Sequence, residues 1–280
     1  MERYQQIENS IITKYRKNIY KRFREAIDRY KLIDDGDRIC VCISGGKDSM
    51  LLAKCMQEYQ RHGDKKFELE FVVMDPGYSK KNREKIEENA KILNVPIKII
   101  NKNIFEVLNK QTWGSACFLC AKMRRGCLYN IAESLNCNKI ALGHHYDDVL
   151  ETMLLNIFYS GEIKTMMPKI HSDNFNLELI RPLYLVKEPD IISWKEYNKL
   201  EFLDCACKVT ETIKQHDENV SKRKAMKNLI AKFRKESEYI DKSIFHSMSN
   251  VNLNSMLGWK KDGKEYNFMD DYDDKNGYLK

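Results

Sequence analysis

The chain has 280 residues, 42% of them hydrophobic and 32% charged, and a formal net charge of +7. It can therefore hold one large domain with appendages, and its charge favours a polyanionic partner, nucleic acid before others. No apolar run approaches the ~18 residues of a membrane span, and Met1-Glu2-Arg3-Tyr4 opens no signal-peptide core, so a cytoplasmic protein with no membrane partner is expected. In a reducing compartment the nine cysteines are packing residues, metal ligands or reactive thiols rather than disulfides.

Ile7, Ile11, Tyr15, Ile19, Phe23 and Ile27 recur every fourth residue and predict one long amphipathic helix, whose other faces carry Lys14, Arg16, Lys17, Lys21, Arg22 and Arg24. Asp34-Asp35-Gly36-Asp37 reads as a turn. The apolar run Cys40-Val41-Cys42-Ile43 then ends in Ser44-Gly45-Gly46-Lys47-Asp48-Ser49, after which Met50, Leu51 and Leu52 enter a helix. Adjacent glycines let the backbone approach an anion, and a helix N-terminus presents free N–H groups. Ser44 and Ser49 add hydroxyls, and Lys47 adds a point charge. The loop reads as a pyrophosphate cradle, distinct from the Gly-x-x-x-x-Gly-Lys-Ser/Thr pattern; the competing reading is a plain glycine turn.

A second strand is expected over 67–74, broken by Asp75-Pro76-Gly77, then a helix over 80–93 with Ser79 as N-cap and a third strand over 95–100. A polar stretch leads through Trp113 to Cys117 and Cys120. A helix follows over 128–135, a fourth strand over 139–142, and a helix over 147–158 behind the loop Gly143-His144-His145-Tyr146. Strands alternating with helices predict an α/β fold, a parallel twisted sheet with helices on both faces and ligands at the strand C-termini. The expected organisation is a basic N-terminal helix over 1–35 and a nucleotide-binding domain over 36–187 with a Cys-x-x-Cys insertion. A helical C-terminal region over 188–265 carries a second cysteine pair, and an acidic, disordered tail covers 266–280, including Asp270 and Asp271.

Three further groups of residues carry chemistry. With a helix start at Asp147, Glu151 stacks on Asp147 and Thr152 on Asp148 one turn later. Such carboxylates either cap the helix or hold Mg²⁺ against phosphates, since Mg²⁺ favours one or two carboxylates together with phosphate oxygens and water. His144 and His145 are unranked between contacting the reacting group and filling the core. Cys117-Phe118-Leu119-Cys120, answered by Cys205-Ala206-Cys207, reads as a redox dithiol, a structural zinc site or an iron–sulfur site, and Arg124 and Arg125 favour thiolates. Cys40, Cys42, Cys55, Cys127 and Cys137 read as core packing. The basic stretches Lys21-Arg22-x-Arg24, Arg124-Arg125 and Ser221-Lys222-Arg223-Lys224 are solvated helix faces or contacts to a phosphate backbone.

Ser-Gly-Gly-Lys-Asp-Ser at 44–49 resembles the PP-loop of the ATP pyrophosphatases, which cut ATP between its α and β phosphates and adenylate their substrates. Gly143-His144-His145-x-Asp147-Asp148 is similar to a string found in PP-loop enzymes that modify tRNA. These motifs, in order with Cys-x-x-Cys, Arg124-Arg125-Gly126, Leu128-Tyr129, Asn156-x-Phe158-Tyr159 and Arg181-Pro182-Leu183, resemble the tRNA 2-thiocytidine synthetases over most of the chain. The resemblance implies an adenine nucleotide α-hydrolase-like fold, with ATP bound by Ser44, Gly45, Gly46, Lys47, Asp48, Ser49, Gly143 and His144. It implies catalytic roles for Lys47, Asp48, Asp147 and Asp148, together with Mg²⁺ and a 4Fe–4S cluster on Cys117, Cys120 and a third, downstream cysteine. The family pattern there is Pro-Cys-x-x-Cys, whereas this chain has Asp204-Cys205-Ala206-Cys207; Cys207 is taken as the ligand and Cys205 as the alternative. Three ligands leave one iron open to carry sulfide.

The implied reaction is ATP-dependent thiolation of a tRNA cytidine at position 32 of the anticodon loop. The cytidine is adenylated at O2, that oxygen is replaced by sulfur, and AMP and pyrophosphate leave. Implied partners are tRNA, a sulfur donor (a cysteine desulfurase or free sulfide) and a second copy in a homodimer. Two alternatives stand beside it. One is a lysidine synthetase-type ligase, which needs no cluster and so leaves the cysteine pairs unexplained. The other is an RNA-binding or redox-sensing protein with a vestigial nucleotide site, against which the intact Lys47, Asp48, Asp147 and Asp148 argue.

Overall fold

A four-residue spacing does not stay on one face of an ideal helix, because at 3.6 residues per turn the stripe drifts by about 40° per step. The computed structural model describes residues 1–102, 116–203 and 218–272, with side chains over 1–102, 123–203, 222–270 and at 272. In it the expected single helix is broken. Helix α1 (Arg3–Ile12) ends at Thr13, whose hydroxyl donates to Asn9 O at 2.6 Å, and Tyr15 N reaches Ser10 O at 2.9 Å. A π-helical turn (Arg16–Tyr20) then leads into α2 (Lys21–Tyr30). These wider turns take up the drift, so every stripe residue is buried, and the Tyr15 hydroxyl is anchored on Ser193 O at 2.8 Å. The basic face is partly neutralised by its own surroundings: Arg22 and Arg29 share Glu25, and Arg24 pairs with Asp64.

Strands β1 (Arg38–Cys42), β2 (Glu68–Asp75), β3 (Ile97–Asn101) and β4 (Lys139–Ala141) pair in parallel. Between them in sequence lie α3 (Lys47–His62), α4 (Lys80–Ile92) and α5 (Ala116–Ser134), and Ser79 caps α4 by accepting from Asn82 N at 3.2 Å. The six-stranded order is β3-β2-β1-β4-β6-β5. Two crossovers step outward from β1 to β3, and the next returns past β1 to β4. Right-handed crossovers then put α3 and α4 on one face and α5 on the other. The reversal lies between β1 and β4, which places a ligand crevice at their C-terminal ends. Strand alternation supports this layering: Cys40 and Cys42 share one face with Val72, Met74 and Ile140, packed beneath Ile131 and Ala132 of α5. Cys55 and Cys137 are also buried, whereas Cys127 is only half-buried against this cluster.

The all-parallel expectation is corrected at one edge. After α6 (Tyr146–Leu155), strand β6 (Glu178–Ile180) is parallel to β4, but β5 (Lys169–His171) is antiparallel to β6. Strands this short show no period in sequence. Helix α7 (Glu188–Tyr197) follows, with Pro189 in its first turn.

Residues 1–227 form one compact unit and 228–280 another, the boundary falling within α8 (Glu218–Glu236). The second unit contains α9 (Ile240–Ser247) and a hairpin of β7 (Gly258–Lys261) and β8 (Lys264–Asn267), which corrects the wholly helical expectation for 188–265. Its turn, Asp262-Gly263, has φ of 51° and 75°, the paired left-handed geometry that an Asp-Gly hairpin turn selects. Trp259 stacks on its cross-strand partner Tyr266 with ring centroids 5.4 Å apart. The expected disordered tail begins instead as a capped 3₁₀ turn over Phe268–Asp271, and residues 273–280 lie outside those described. Among the described residues no helix is long and apolar enough to cross a membrane.

Candidate active site

β1 delivers the chain to the crevice and Gly45 turns it. Its φ is +86°, and a Cβ there would stand 2.6 Å from Ile86 Cγ1, so neither the conformation nor the space suits a larger residue. Ser49 Oγ closes the loop, accepting from Ser44 N at 3.1 Å and lying 3.0 Å from Gly46 O as donor. α3 begins at Lys47 behind Gly46, so its first-turn N–H groups and their positive partial charge open onto the cradle. Lys47 Nζ lies 3.2 Å from the Asp48 carboxylate and 3.1 Å from Glu188 Oε1. Burial works to lower the Lys47 pKa, but Asp48 and Glu188 outweigh it and raise it, so Lys47 is a persistent cation. Glu188 also meets Lys227 at 2.6 Å; against the opposing effect of burial, Lys227 and Lys47 hold it down to about 2.

The loop after β4 passes α3 at close range. A Cβ on Gly143 would stand 3.0 Å from Ser49 N and 3.1 Å from Asp48 C, so glycine is what lets the two loops meet. The helix behind it begins at Tyr146, one residue earlier than expected, and passes into a π-helical turn at Asn156–Ser160 instead of staying α-helical to Phe158. The two histidines now separate. His145 is the buried N-cap, accepting at Nδ1 from Asp148 N at 3.4 Å and donating its own N–H to Asp148 Oδ2 at 3.0 Å. His144 lines the crevice, and its Nδ1 is buried without a hydrogen-bond partner among the described residues. Burial lowers the His144 pKa to about 4, leaving a neutral imidazole near pH 7.

Asp147 and Asp148 also separate, because successive helical residues point about 100° apart. Asp148 lines the cleft, whereas Asp147 Oδ2 accepts Glu188 N at 2.7 Å and so caps the start of α7. Glu151, one helical turn beyond Asp147, shares a partner with Asp148: Arg223 of α8 donates from Nε to Glu151 Oε2 at 2.9 Å and from Nη2 to Asp148 Oδ1 at 3.2 Å. Burial raises the Asp48 pKa, with His145 and Lys47 pulling the other way. Burial opposes ionisation of Asp148 too, but His145, His144 and Arg223 outweigh it and hold its pKa below the usual carboxylate range.

The cleft so formed measures about 480 Å³. Ser44, Asp48, Ser49, His144 and Asp148 face Arg124, Arg125 and Tyr129 of α5 across it, and Arg223 closes one side. Two carboxylates beside two helix N-termini suit a polyphosphate with Mg²⁺. Among the described residues no group of three or more His, Cys, Asp or Glu is placed to hold a metal alone, so Mg²⁺ would share phosphate oxygens, as is usual for it. Cys117 and Cys120 stand at the start of α5, the helix whose Arg124 and Arg125 reach the cleft. Their side chains, and Cys205 and Cys207 altogether, lie outside the described residues. Glu188 escaped the sequence reading, although Pro189 marks a helix start. Arg223 was visible only as part of a charged run.

This geometry separates two neighbouring substitutions. Asp148→Asn is expected to raise the Mg²⁺ concentration needed for half-maximal pyrophosphate release. Asp147→Asn is expected to leave that requirement unchanged and to lower the melting temperature by about 2–4 °C, from the loss of a helix cap worth roughly 1 kcal/mol. Equal Mg²⁺ shifts in the two variants would contradict the division.

A mostly parallel sheet that reverses beside β1, a Ser-Gly-Gly-Lys-Asp-Ser turn at a helix start and an acidic helix start across the crevice define a nucleotide-binding α/β protein of the PP-loop class. A family model described as a PP-loop domain matches residues 12–215. The tRNA-cytidine(32) 2-sulfurtransferase of Geotalea uraniireducens is 35% identical over 253 residues, which cover 90% of this chain and 96% of that protein. The protein of the same name from Geotalea daltonii is 36% identical over 243 residues, covering 86% of this chain and 94% of its own. The chain belongs to the tRNA-cytidine(32) 2-sulfurtransferase family of PP-loop proteins. Its fold is also similar to that of a U34-tRNA thiolase, NcsA from Methanococcus maripaludis, solved with its 4Fe–4S cluster. The TM-score there is 0.66 at 19% identity, over 86% of this chain and 80% of that one.

Proposed function

We propose that the chain is an ATP-dependent tRNA sulfurtransferase acting on cytidine 32 of the anticodon loop. The observation that carries this reading is the convergence of Ser44, Asp48, His144 and Asp148 on one cleft, with Lys47 paired to Asp48 at 3.2 Å behind it, and with a wall formed by the helix bearing Cys117 and Cys120. The cytidine O2 attacks the α-phosphorus of ATP and pyrophosphate leaves. A sulfide sulfur then bonds to C2, and AMP departs with the former O2. The α3 N-terminus and Lys47 stabilise charge on the departing pyrophosphate. Asp48 and Asp148 would hold Mg²⁺, which neutralises phosphate charge and orients the phosphates. His144, neutral and with no partner at Nδ1 among the described residues, lines the cleft and can hydrogen-bond a group entering it. Cys117, Cys120 and one of Cys205 and Cys207 would hold a 4Fe–4S cluster, whose chemistry is to supply the sulfur. Sulfide or a cysteine desulfurase would deliver that sulfur.

The test is anaerobic incubation of the reconstituted protein with tRNA, ATP, Mg²⁺ and sulfide, with nucleosides read by mass spectrometry. 2-Thiocytidine with matching AMP and pyrophosphate is expected; pyrophosphate release with lysine incorporation would favour a ligase. Affinity for tRNA is expected to fall steeply with salt, with a log–log slope of about −0.9 per phosphate contacted in duplex regions. A salt-independent Kd would contradict electrostatic docking by a chain of net charge +7.

A further inference from the structure

We infer that the far end of α6, the π-helical turn Asn156–Ser160 and the loop after it, is a stacking platform for unpaired RNA bases beside the cleft; this rests on the tRNA reading above. Phe158 and Tyr159 are 59% and 49% exposed, and Ile157, Ile163 and Met167 are exposed with them. Scattered apolar residues on a surface need no explanation, but a contiguous group marks a recognition surface.

The segment is held in place by its own hydrogen bonds. Glu162 N donates to Asn156 O at 3.1 Å, Asn156 Nδ2 to Lys164 O at 3.0 Å, and Thr165 Oγ1 to Val149 O at 2.7 Å. Gly161, with φ +65°, reverses the chain between them. The two aromatic rings are therefore displayed on a fastened scaffold, and a π-helical turn is a frequent device at functional sites.

The platform adjoins the proposed chemistry. α6 carries Asp148 and Glu151 towards the cleft, and its ten residues span about 15 Å to the platform. Lys222 Nζ lies 5.3 Å from the centroid of the Tyr159 ring, and the next residue, Arg223, reaches Asp148 and Glu151. α8 thus links the two places.

The chemistry of the patch selects its occupant. Flat aromatic faces accept bases without reading sequence, and flanking cations follow the backbone; together these are the features that bind single-stranded nucleic acid. Lys222 supplies such a cation at the Tyr159 ring, on a chain with net charge +7. A cytidine whose O2 must meet an α-phosphate has to leave its stack, and the neighbouring loop bases then need another surface. Phe158 and Tyr159 provide one within a few nucleotides of the cleft.

The experiment measures Kd by fluorescence anisotropy for the full chain with an RNA hairpin bearing an unpaired loop, and with a blunt RNA duplex of equal charge. Phe158→Ala and Tyr159→Ala are each expected to weaken hairpin binding at least about fivefold and to leave duplex binding and melting temperature unchanged. Phe158→Trp and Tyr159→Phe, which keep a flat ring, should bind like the wild type, whereas Phe158→Leu should behave like Phe158→Ala. Unchanged hairpin affinity in both alanine variants, with a wild type that binds, overturns the platform and leaves the tRNA reading standing. A wild type that binds neither tRNA nor hairpin overturns both. A wild-type dimer that the alanine variants lose and Phe158→Leu retains, seen by sedimentation without RNA, overturns the platform and assigns the patch to a second copy of the chain.

Discussion

Lys47→Ala is expected to lower tRNA-dependent pyrophosphate release by about 10²–10³-fold while the protein stays folded. Lys47 is the cation at the start of α3, held by Asp48 and Glu188 and not by apolar packing. Removing it leaves Glu188 paired with Lys227 at 2.6 Å, and Asp48, whose pKa burial already raises, can take up a proton instead of standing as an unpaired buried charge. The cost should therefore fall on the charge that develops as pyrophosphate leaves, and only weakly on folding. Pyrophosphate release and thermal melting of the same samples separate the two effects. A variant that melts like the wild type and turns over like it would remove the ATP role from this loop.

The second large effect concerns the cysteines. Cys117→Ala and Cys120→Ala should each lose iron, acid-labile sulfide and tRNA thiolation together. In the downstream pair, Cys207→Ala should do the same and Cys205→Ala should not. A Cys-x-x-Cys pair about one turn apart at a helix start can serve one edge of a cluster, and a single further thiolate leaves one iron without a protein ligand. Two thiolates from Cys-x-Cys would close the cluster, an arrangement better suited to electron transfer than to delivering sulfur. Iron and sulfide per chain are measured on anaerobically reconstituted variants. If both downstream variants lose iron, ligation is by four cysteines; if neither does, the third ligand lies elsewhere. A wild type that takes up only zinc would deprive the proposed reaction of its sulfur-handling centre.

Local chemistry was legible wherever its determinants lie within a few residues. The cradle could be read from Ser44 to Ser49 because a strand end, two glycines and a helix start are contiguous. Ser79 was readable as a cap for the same reason. The strict four-residue stripe from Ile7 to Ile27 also held a message that went unread: a spacing wider than 3.6 calls for the π-helical turn that the packed helices adopt. Asp262-Gly263 likewise signalled a hairpin inside a segment taken as helical.

The sequence by itself therefore determined the α/β alternation, the parallel centre of the sheet and the glycine turn from Ser44 to Ser49 at a helix start, because period, propensity and turn geometry act locally. Only the tertiary structure decided which groups meet. Asp147 and Asp148 look equivalent in a string, yet rotation about the helix axis sends one to cap α7 and the other to the cleft. Arg223 reaches Asp148 across 75 residues of sequence, and Lys47 meets Glu188 across 141. No local pattern encodes such pairings; they arise where the sheet's strand order reverses and brings loops that are distant in sequence to one crevice.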